Sequence, residues 1–282
     1  MLADLDRRME IVRLGQGVDA TGRLAPEALE RTFKVARTYA EAIREWGAER
    51  TRFVATSATR DAANRDTFTA GVLEIFGVEP EVITGDEEAN LSYSGATRGL
   101  SGAGDVRPPY LVVDIGGGST EFVLGEDKVV AARSVDVGCV RMLERHLRDD
   151  PPTREQVAGA TADIDAAIDA AAAAVPLGDA RSLVGVAGSV TTIAAIALRL
   201  PAYDSTQVHH ARIPAARVRE VARMLLGQTR AERAAIGALH PGRVDVIAAG
   251  ALILDRILVR LDLDEVVISE HDILDGIAWS IA

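Results

Sequence analysis

The run Leu111-Val112-Val113-Asp114-Ile115-Gly116-Gly117-Gly118-Ser119-Thr120-Glu121 has the makings of an anion site. An apolar strand delivers Asp114, and three glycines follow it. Lacking Cβ atoms, Gly116, Gly117 and Gly118 let the backbone approach an anion closely and aim several N–H groups at it. Asp114, at the strand end, suits Mg²⁺, bound directly or through water. The hydroxyls of Ser119 and Thr120 can donate to phosphate oxygens. A tight hairpin also needs glycines, but it does not need this order of acid, triple glycine and hydroxyls. The run is no P-loop, because no Gly-Lys-Ser/Thr is present. It is no dinucleotide fingerprint either, because a hairpin follows it and not a helix.

Three further segments bear on the same chemistry. Gly185-Val186-Ala187-Gly188-Ser189 closes a strand and opens a helix, whose N-terminus attracts anions. A well-capped helix start would have the same composition. In Ala55-Thr56-Ser57-Ala58-Thr59-Arg60-Asp61, Ser57 and the other hydroxyls accompany Arg60, a side chain suited to bidentate phosphate contact. Arg60 alone would equally be a surface ion-pair partner. In Gly85-Asp86-Glu87-Glu88, carboxylates at a helix start complement its dipole whether or not they do chemistry. His209-His210 has no third ligand nearby in sequence and reads as a loop pair rather than a metal site. Cys139, after Gly138, reads as a small buried residue.

Positioning these residues takes alternating strands and helices, which is an α/β pattern. Residues 8–14 read as a strand, and 26–46 as a helix with Leu29, Phe33, Ala36, Ala40 and Ile43 on one face. Strands over 52–56 and 80–84 bracket a helix over 65–76, and a helix over 87–99 follows. The Gly- and Pro-rich stretch 101–109 reads as a linker or a plain surface loop. Beyond it come strands over 110–113, 121–124 and 128–134, then a helix over 157–175. A strand over 183–186 leads to helices over 191–198, 218–226, 231–239 and 244–261, a strand over 266–269 and a helix over 273–281.

The 282 residues suffice for two domains. A formal net charge of -11 argues against a broad nucleic-acid-binding face and requires Arg residues to gather locally around any polyanionic substrate. One cysteine permits no disulfide within the chain. The first residues do not form a signal peptide, and no run of about 18 apolar residues predicts a membrane span, so the cytoplasm is the expected location.

Together these segments, with Gly138-Cys139-Val140-Arg141, Pro241-Gly242-Arg243-Val244-Asp245 and Ser269-Glu270, resemble the exopolyphosphatase / guanosine pentaphosphate phosphatase family. That family belongs to the actin, sugar kinase and heat-shock chaperone superfamily. The resemblance implies two ribonuclease H-like domains facing a cleft. Residues 1–107, joined by the C-terminal helix 271–282, would form the first, and 108–270 the second. It implies a Mg²⁺-dependent hydrolase acting on the terminal phosphate of polyphosphate or guanosine pentaphosphate, and a homodimer. Glu88 would be the general base, with Asp114 and Glu121 organising the metal or the water. Gly116 to Ser119 would cradle the phosphate, and Arg60 would stabilise charge on it. Gly185, Gly188 and Ser189 would bind further along the substrate.

Family members open with an Asp-x-Gly-Ser/Thr-Asn-Ser turn on a first strand, and nothing before Arg8 matches it. The resemblance therefore implies a first domain short of about two strands and one phosphate loop. Either the natural start lies upstream, or the chain is a degenerate homologue. Two other functions remain open on the sequence: a non-catalytic binder of such polyanions, and a kinase or ATPase of the same superfamily.

Overall fold

Apolar side chains at helical spacing from Leu29 onward build the longest helix, and Gly47, in the left-handed region at φ 65, ends it. The computed structural model describes residues 4–100 and 106–282. The stretch 101–105, expected as part of a linker, lies outside the described residues. The chain divides into one unit of Met1–Glu88 with Ile277–Ala282 and another of Ala89–Gly276.

The first unit runs through α1 (Val18–Thr21), α2 (Pro26–Trp46), β1 (Val54–Ala55), α3 (Ser57–Arg60), α4 (Arg65–Phe76) and β2 (Glu81–Val82), and on to the start of α5 (Gly85–Thr97). Strands β1 and β2 pair in parallel, Val54 with Glu81 and Ala55 with Val82. Its core is small: Leu24, Leu29, Phe68 and Val72, with Phe33, Phe53 and Phe76 packed against them. The segment 8–13 is irregular, not the expected strand. Among the described residues no strand offers it a ladder, and the Val12 carbonyl accepts from the Arg31 side chain instead.

The second unit is built on β3 (Tyr110–Ile115), β4 (Thr120–Gly125) and β5 (Val129–Val135), a meander of antiparallel strands. Helices α6 (Cys139–Arg145) and α7 (Arg154–Ala172) lead to β6 (Ser182–Val186), which pairs in parallel with β3. Next come α8 (Ala187–Ala197), α9 (Ser205–Val208), β7 (Arg212–Pro214), α10 (Ala215–Gly227), α11 (Arg230–Ala234) and α12 (Ile247–Arg260). Strand β8 (Glu265–Ile268) and α13 (Ile273–Ser280) finish the order. The sheet reads β5-β4-β3-β6-β8-β7. The α/β class expected from the sequence is observed.

Every residue of β3 and β4 is buried, which is why Leu111–Val113 and Phe122–Leu124 read as apolar runs without alternation. The pleat sorts their side chains onto two faces. Val113, Ile115, Phe122 and Leu124 pack with Met142, Ile164, Ile193 and Ile257. On the other face Val112, Val123, Val184 and Val186 meet Ala89, Tyr93 and Ala96 of α5. Each large apolar side chain so buried contributes about 1.5–3 kcal/mol. Two helices are shorter than their apolar spacing predicts. Helix α11 stops at Ala234, and α12 starts only after the turn Pro241–Arg243, where His240 Nδ1 accepts from Gly242 N. Among the described residues no helix is long and apolar enough to cross a membrane.

Candidate active site

Asp114 and Glu121 are direct cross-strand partners on β3 and β4, and Glu121 is in turn the partner of Ser134 on β5. Partners directly opposite project from the same sheet face. By the pleat this is the face beneath α5, so a polar row interrupts an apolar layer. Both carboxylates are buried, and both have donors. Ser92 of α5 gives its hydroxyl to Asp114 Oδ2 at 2.7 Å, and Ser134 gives its own to Glu121 Oε1 at 2.7 Å.

The glycine turn joins these two strands. Gly116 N–H closes it onto the Ser119 carbonyl at 3.0 Å. The carbonyls of Gly116 and Gly117 accept from the first N–H groups of α6, Cys139 N at 3.0 Å and Val140 N at 2.9 Å. Gly118 O accepts from Arg141 Nε at 2.7 Å. Among the described residues, the N–H groups of Gly117, Gly118 and Ser119 have no protein acceptor. Of the two hydroxyls expected to serve a phosphate, Thr120 gives its hydrogen to the Val137 carbonyl at 2.5 Å. The Thr120 hydroxyl hydrogen is therefore committed to tying β4 to the chain before α6.

The second glycine turn is differently built. Gly185 lies within β6, where a Cβ would fall 2.6 Å from Val190 Cγ1, and its carbonyl accepts from Ser269 N. Close packing explains that glycine. Ala187 takes the left-handed region at φ 69, a conformation costly for a residue with a Cβ and concentrated at functional turns. Ser189 is buried against Gly250 and Cys139. Gly188 lies directly under the Arg243 guanidinium, whose Nη2 sits 1.8 Å from where a Cβ would be. Burial pulls the Arg243 pKa down, and Cys139, Tyr203 and Glu270 act in the opposite direction. Tyr203 donates to the Glu270 carboxylate beside it. A cation thus covers the start of α8, where sequence gave only glycines and a hydroxyl.

In the first unit, Glu87 and Glu88 part company. One residue is a turn of about 100° around a helix. Glu87 is exposed and pairs with Arg52, which also holds Glu81. Glu88 is buried, with Oε2 3.3 Å from Arg60 Nη1. Burial raises the Glu88 pKa above the usual carboxylate range, against the opposing pull of Arg60 and Thr56. Arg60 Nη1 also donates to the Ile83 carbonyl at 3.0 Å, so β2's end fixes the cation beside Glu88. Ser57 is buried at the start of α3.

Four functional neighbours escaped the sequence reading: Ser92, Ser134, Arg141 and Arg243. Single serines in a helix and a strand carry no pattern. Arg141 and Arg243 stood in motifs already picked out, but neither had a role until α6 and the turn at Pro241–Arg243 took shape. His209 and His210 stack at 3.7 Å between ring centroids, with His271 4.6 Å from His209.

A model of the Ppx/GppA phosphatase family matches residues 1–282. The chain is 49% identical over 290 residues to exopolyphosphatase 2 of Mycobacterium tuberculosis, covering 100% of this chain and 90% of that protein. It is 32% identical to a guanosine-5'-triphosphate,3'-diphosphate pyrophosphatase of Photobacterium profundum, over 99% of this chain and 53% of that one, about half its length. A crystal structure of an exopolyphosphatase-like protein superposes with a TM-score of 0.96 at 45% identity, covering 99% of this chain and 92% of that one. The Aquifex aeolicus member of the Ppx/GppA family superposes at 0.76 with 29% identity, over 96% and 87% of the two chains. With a family match over its whole length and relatives this close, the chain belongs to the Ppx/GppA phosphatase family.

Proposed function

We propose that the chain hydrolyses the terminal phosphoanhydride of inorganic polyphosphate, releasing orthophosphate and a chain shorter by one unit. The observation that carries this reading is the Gly116–Ser119 turn. The carbonyls of Gly116, Gly117 and Gly118 are held on one side, the N–H groups of Gly117, Gly118 and Ser119 are without protein acceptors among the described residues, and two buried carboxylates stand at the base of the turn. Polyphosphate is preferred as substrate because a relative at 49% identity and near-complete coverage is named an exopolyphosphatase. Guanosine pentaphosphate is the second reading, favoured by the 32% relative named for that nucleotide.

Phosphoryl transfer asks for positioning and charge stabilisation more than covalent help. In this reading the N–H groups of Gly117, Gly118 and Ser119 bind oxygens of the terminal phosphate, with Arg243 over Gly188 attracting the next part of the chain. Glu88 takes a proton from the attacking water as the new P–O bond forms, and the bridging P–O bond breaks toward the shortened chain. A carboxylate with a raised pKa is a stronger base than an ordinary glutamate and suits the task. Arg60 orients the Glu88 carboxylate, and it would have to leave or share that contact to touch phosphate.

The Asp114–Glu121 row fits Mg²⁺. That ion usually takes one or two carboxylates and fills its shell with water and substrate phosphate. When bound, Mg²⁺ would neutralise charge on the phosphate oxygens. Ser92 and Ser134 hold the two carboxylates in place.

The test is orthophosphate release from polyphosphate and from guanosine pentaphosphate, with Mg²⁺ and with EDTA. Release from polyphosphate that EDTA stops and Mg²⁺ restores is expected. Binding of polyphosphate without release, or ADP formation from ATP with an acceptor, would replace this reading with a binder or a kinase.

A further inference from the structure

We propose that Arg141 is a positioning residue, which fixes the Gly118–Ser119 peptide plane so that Ser119 N–H faces the phosphate. The proposal rests on the phosphate reading of the turn given above and adds what holds that turn in its working form.

A trans peptide is planar, so its C=O and N–H point in opposite directions. Whatever binds the carbonyl of one residue therefore aims the N–H of the next. Cys139 N holds Gly116 O and so turns Gly117 N–H away from α6. Val140 N, at 2.9 Å, and Arg141 N, at 3.1 Å, hold Gly117 O and so turn Gly118 N–H away. Among the described residues the third peptide has no backbone donor. Its carbonyl, Gly118 O, is held by the Arg141 side chain, Nε at 2.7 Å. Among the described residues that bond is what anchors the plane carrying Ser119 N–H.

The choice of residues follows from this job. Glycine peptides rotate easily, so Gly118 needs an external anchor to keep one orientation. A guanidinium suits it, because Nε lies in a fixed plane and stays charged at any physiological pH. The Arg141 side chain is only 12% exposed, which limits its swing, and its Nη2 lies 3.9 Å from the exposed Asp136 carboxylate. Gly138 lets α6 dock at all. A Cβ there would lie 2.4 Å from Gly117 O and 2.7 Å from Gly118 C. The first turn of α6, which could itself have bound an anion, is spent on the carbonyls of the loop that does.

Three variants of the whole chain test this: Arg141→Ala, Arg141→Lys and Gly138→Ala. The probe is orthophosphate, titrated into ¹⁵N-labelled protein, with KM for polyphosphate as the second readout. In the parent, the amides of Gly117, Gly118 and Ser119 should move with phosphate. Arg141→Ala should displace the Ser119 amide already in the ligand-free protein and weaken phosphate about ten- to a hundredfold, the worth of one charge-assisted hydrogen bond. Arg141→Lys should recover part of that loss, having a donor but no fixed plane. Gly138→Ala keeps the guanidinium and should weaken phosphate comparably, which separates geometry from charge. If the parent amides respond but Arg141→Ala keeps phosphate affinity and KM within twofold, the proposal is overturned and the phosphate reading stands. An unimpaired Gly138→Ala beside an impaired Arg141→Ala also overturns it, since only charge would then matter. If the parent's turn amides are silent toward phosphate, the phosphate reading falls and this proposal falls with it.

Discussion

Ser92 Oγ lies 2.7 Å from Asp114 Oδ2, and both residues are buried. A carboxylate on a buried strand is tolerable only with donors, and this hydroxyl on α5 is one of them. Ser92→Ala should cost about 1–3 kcal/mol, because it withdraws a donor from a buried charged acceptor. It should also raise the Mg²⁺ concentration needed for half-maximal phosphate release. Thermal melts and a Mg²⁺ titration check the two effects separately. A variant with parental stability and Mg²⁺ response would mean that Asp114 is held by other partners.

Glu88 should be lost to activity but not missed by the fold. Burial raises its pKa, so the fold favours the protonated form. Its favourable contribution is therefore present at low pH and disappears as pH rises through the raised value. Glu88→Gln is frozen in the uncharged state. Its melting temperature relative to the parent should therefore improve as pH increases from 5 to 8. Phosphate release should fall by about 10²–10⁴, the usual worth of a general base. A variant that loses stability steadily with pH would contradict the assignment of burial as the main cause.

Arg60 opposes that shift, by hydrogen bond and by charge. Removing it should push the Glu88 pKa further up. In Arg60→Ala the acid limb of the pH–rate profile should move to higher pH, while the limiting rate at alkaline pH falls less than it does in Glu88→Gln. An unmoved acid limb would mean that the limb belongs to another group.

Much of this was legible in the chain because the deciding features were local. The apolar run of β3 and the order acid, glycines and hydroxyls set the strand and its turn. Pro26 and Gly47 bounded α2 as their backbone preferences require. What was not legible depended on partners far along the chain. Residues 8–14 had a strand's composition but, among the described residues, no ladder to join. Helix α6 has seven residues, two of them buried, too few for a periodic signal. The difference between Glu87 and Glu88 hangs on where Arg52 and Arg60 lie. The anchoring of Gly118 and the cation over Gly188 each join residues distant in sequence, so neither has a spacing to read.

Gly188→Ala separates a packing role from a binding one. The Cβ would fall 1.8–2.2 Å from the Arg243 guanidinium atoms, so one of them must move. The obstruction is the far end of a flexible side chain, which can swing aside at little cost. Stability should therefore change by less than about 1 kcal/mol. Affinity for polyphosphate should fall as far as it does in Arg243→Ala, because both displace the same cation. Stability loss without loss of affinity would show Gly188 to be a packing glycine like Gly185.

The imidazole cluster should give the second unit an acid limit. His209 Nδ1 accepts from Glu270 N at 3.1 Å, so one neutral ring holds the backbone beside the carboxylate that Tyr203 contacts. His210 stacks on His209, and its Nε2 is buried without a hydrogen-bond partner among the described residues. Burial first, then the charge of His271, holds the His210 pKa below its ordinary value of 6.5. A depressed pKa means that the unfolded chain binds the proton more readily. This contribution to stability is therefore intact above about pH 6.5 and is lost as pH falls through the folded value. His210 also sits at φ 63, where asparagine is among the few tolerated replacements. His210→Asn should lower the melting temperature at pH 7.5, through the lost stack, and flatten its decline between pH 7 and 5. A decline as steep as the parent's would place the acid-sensitive group elsewhere.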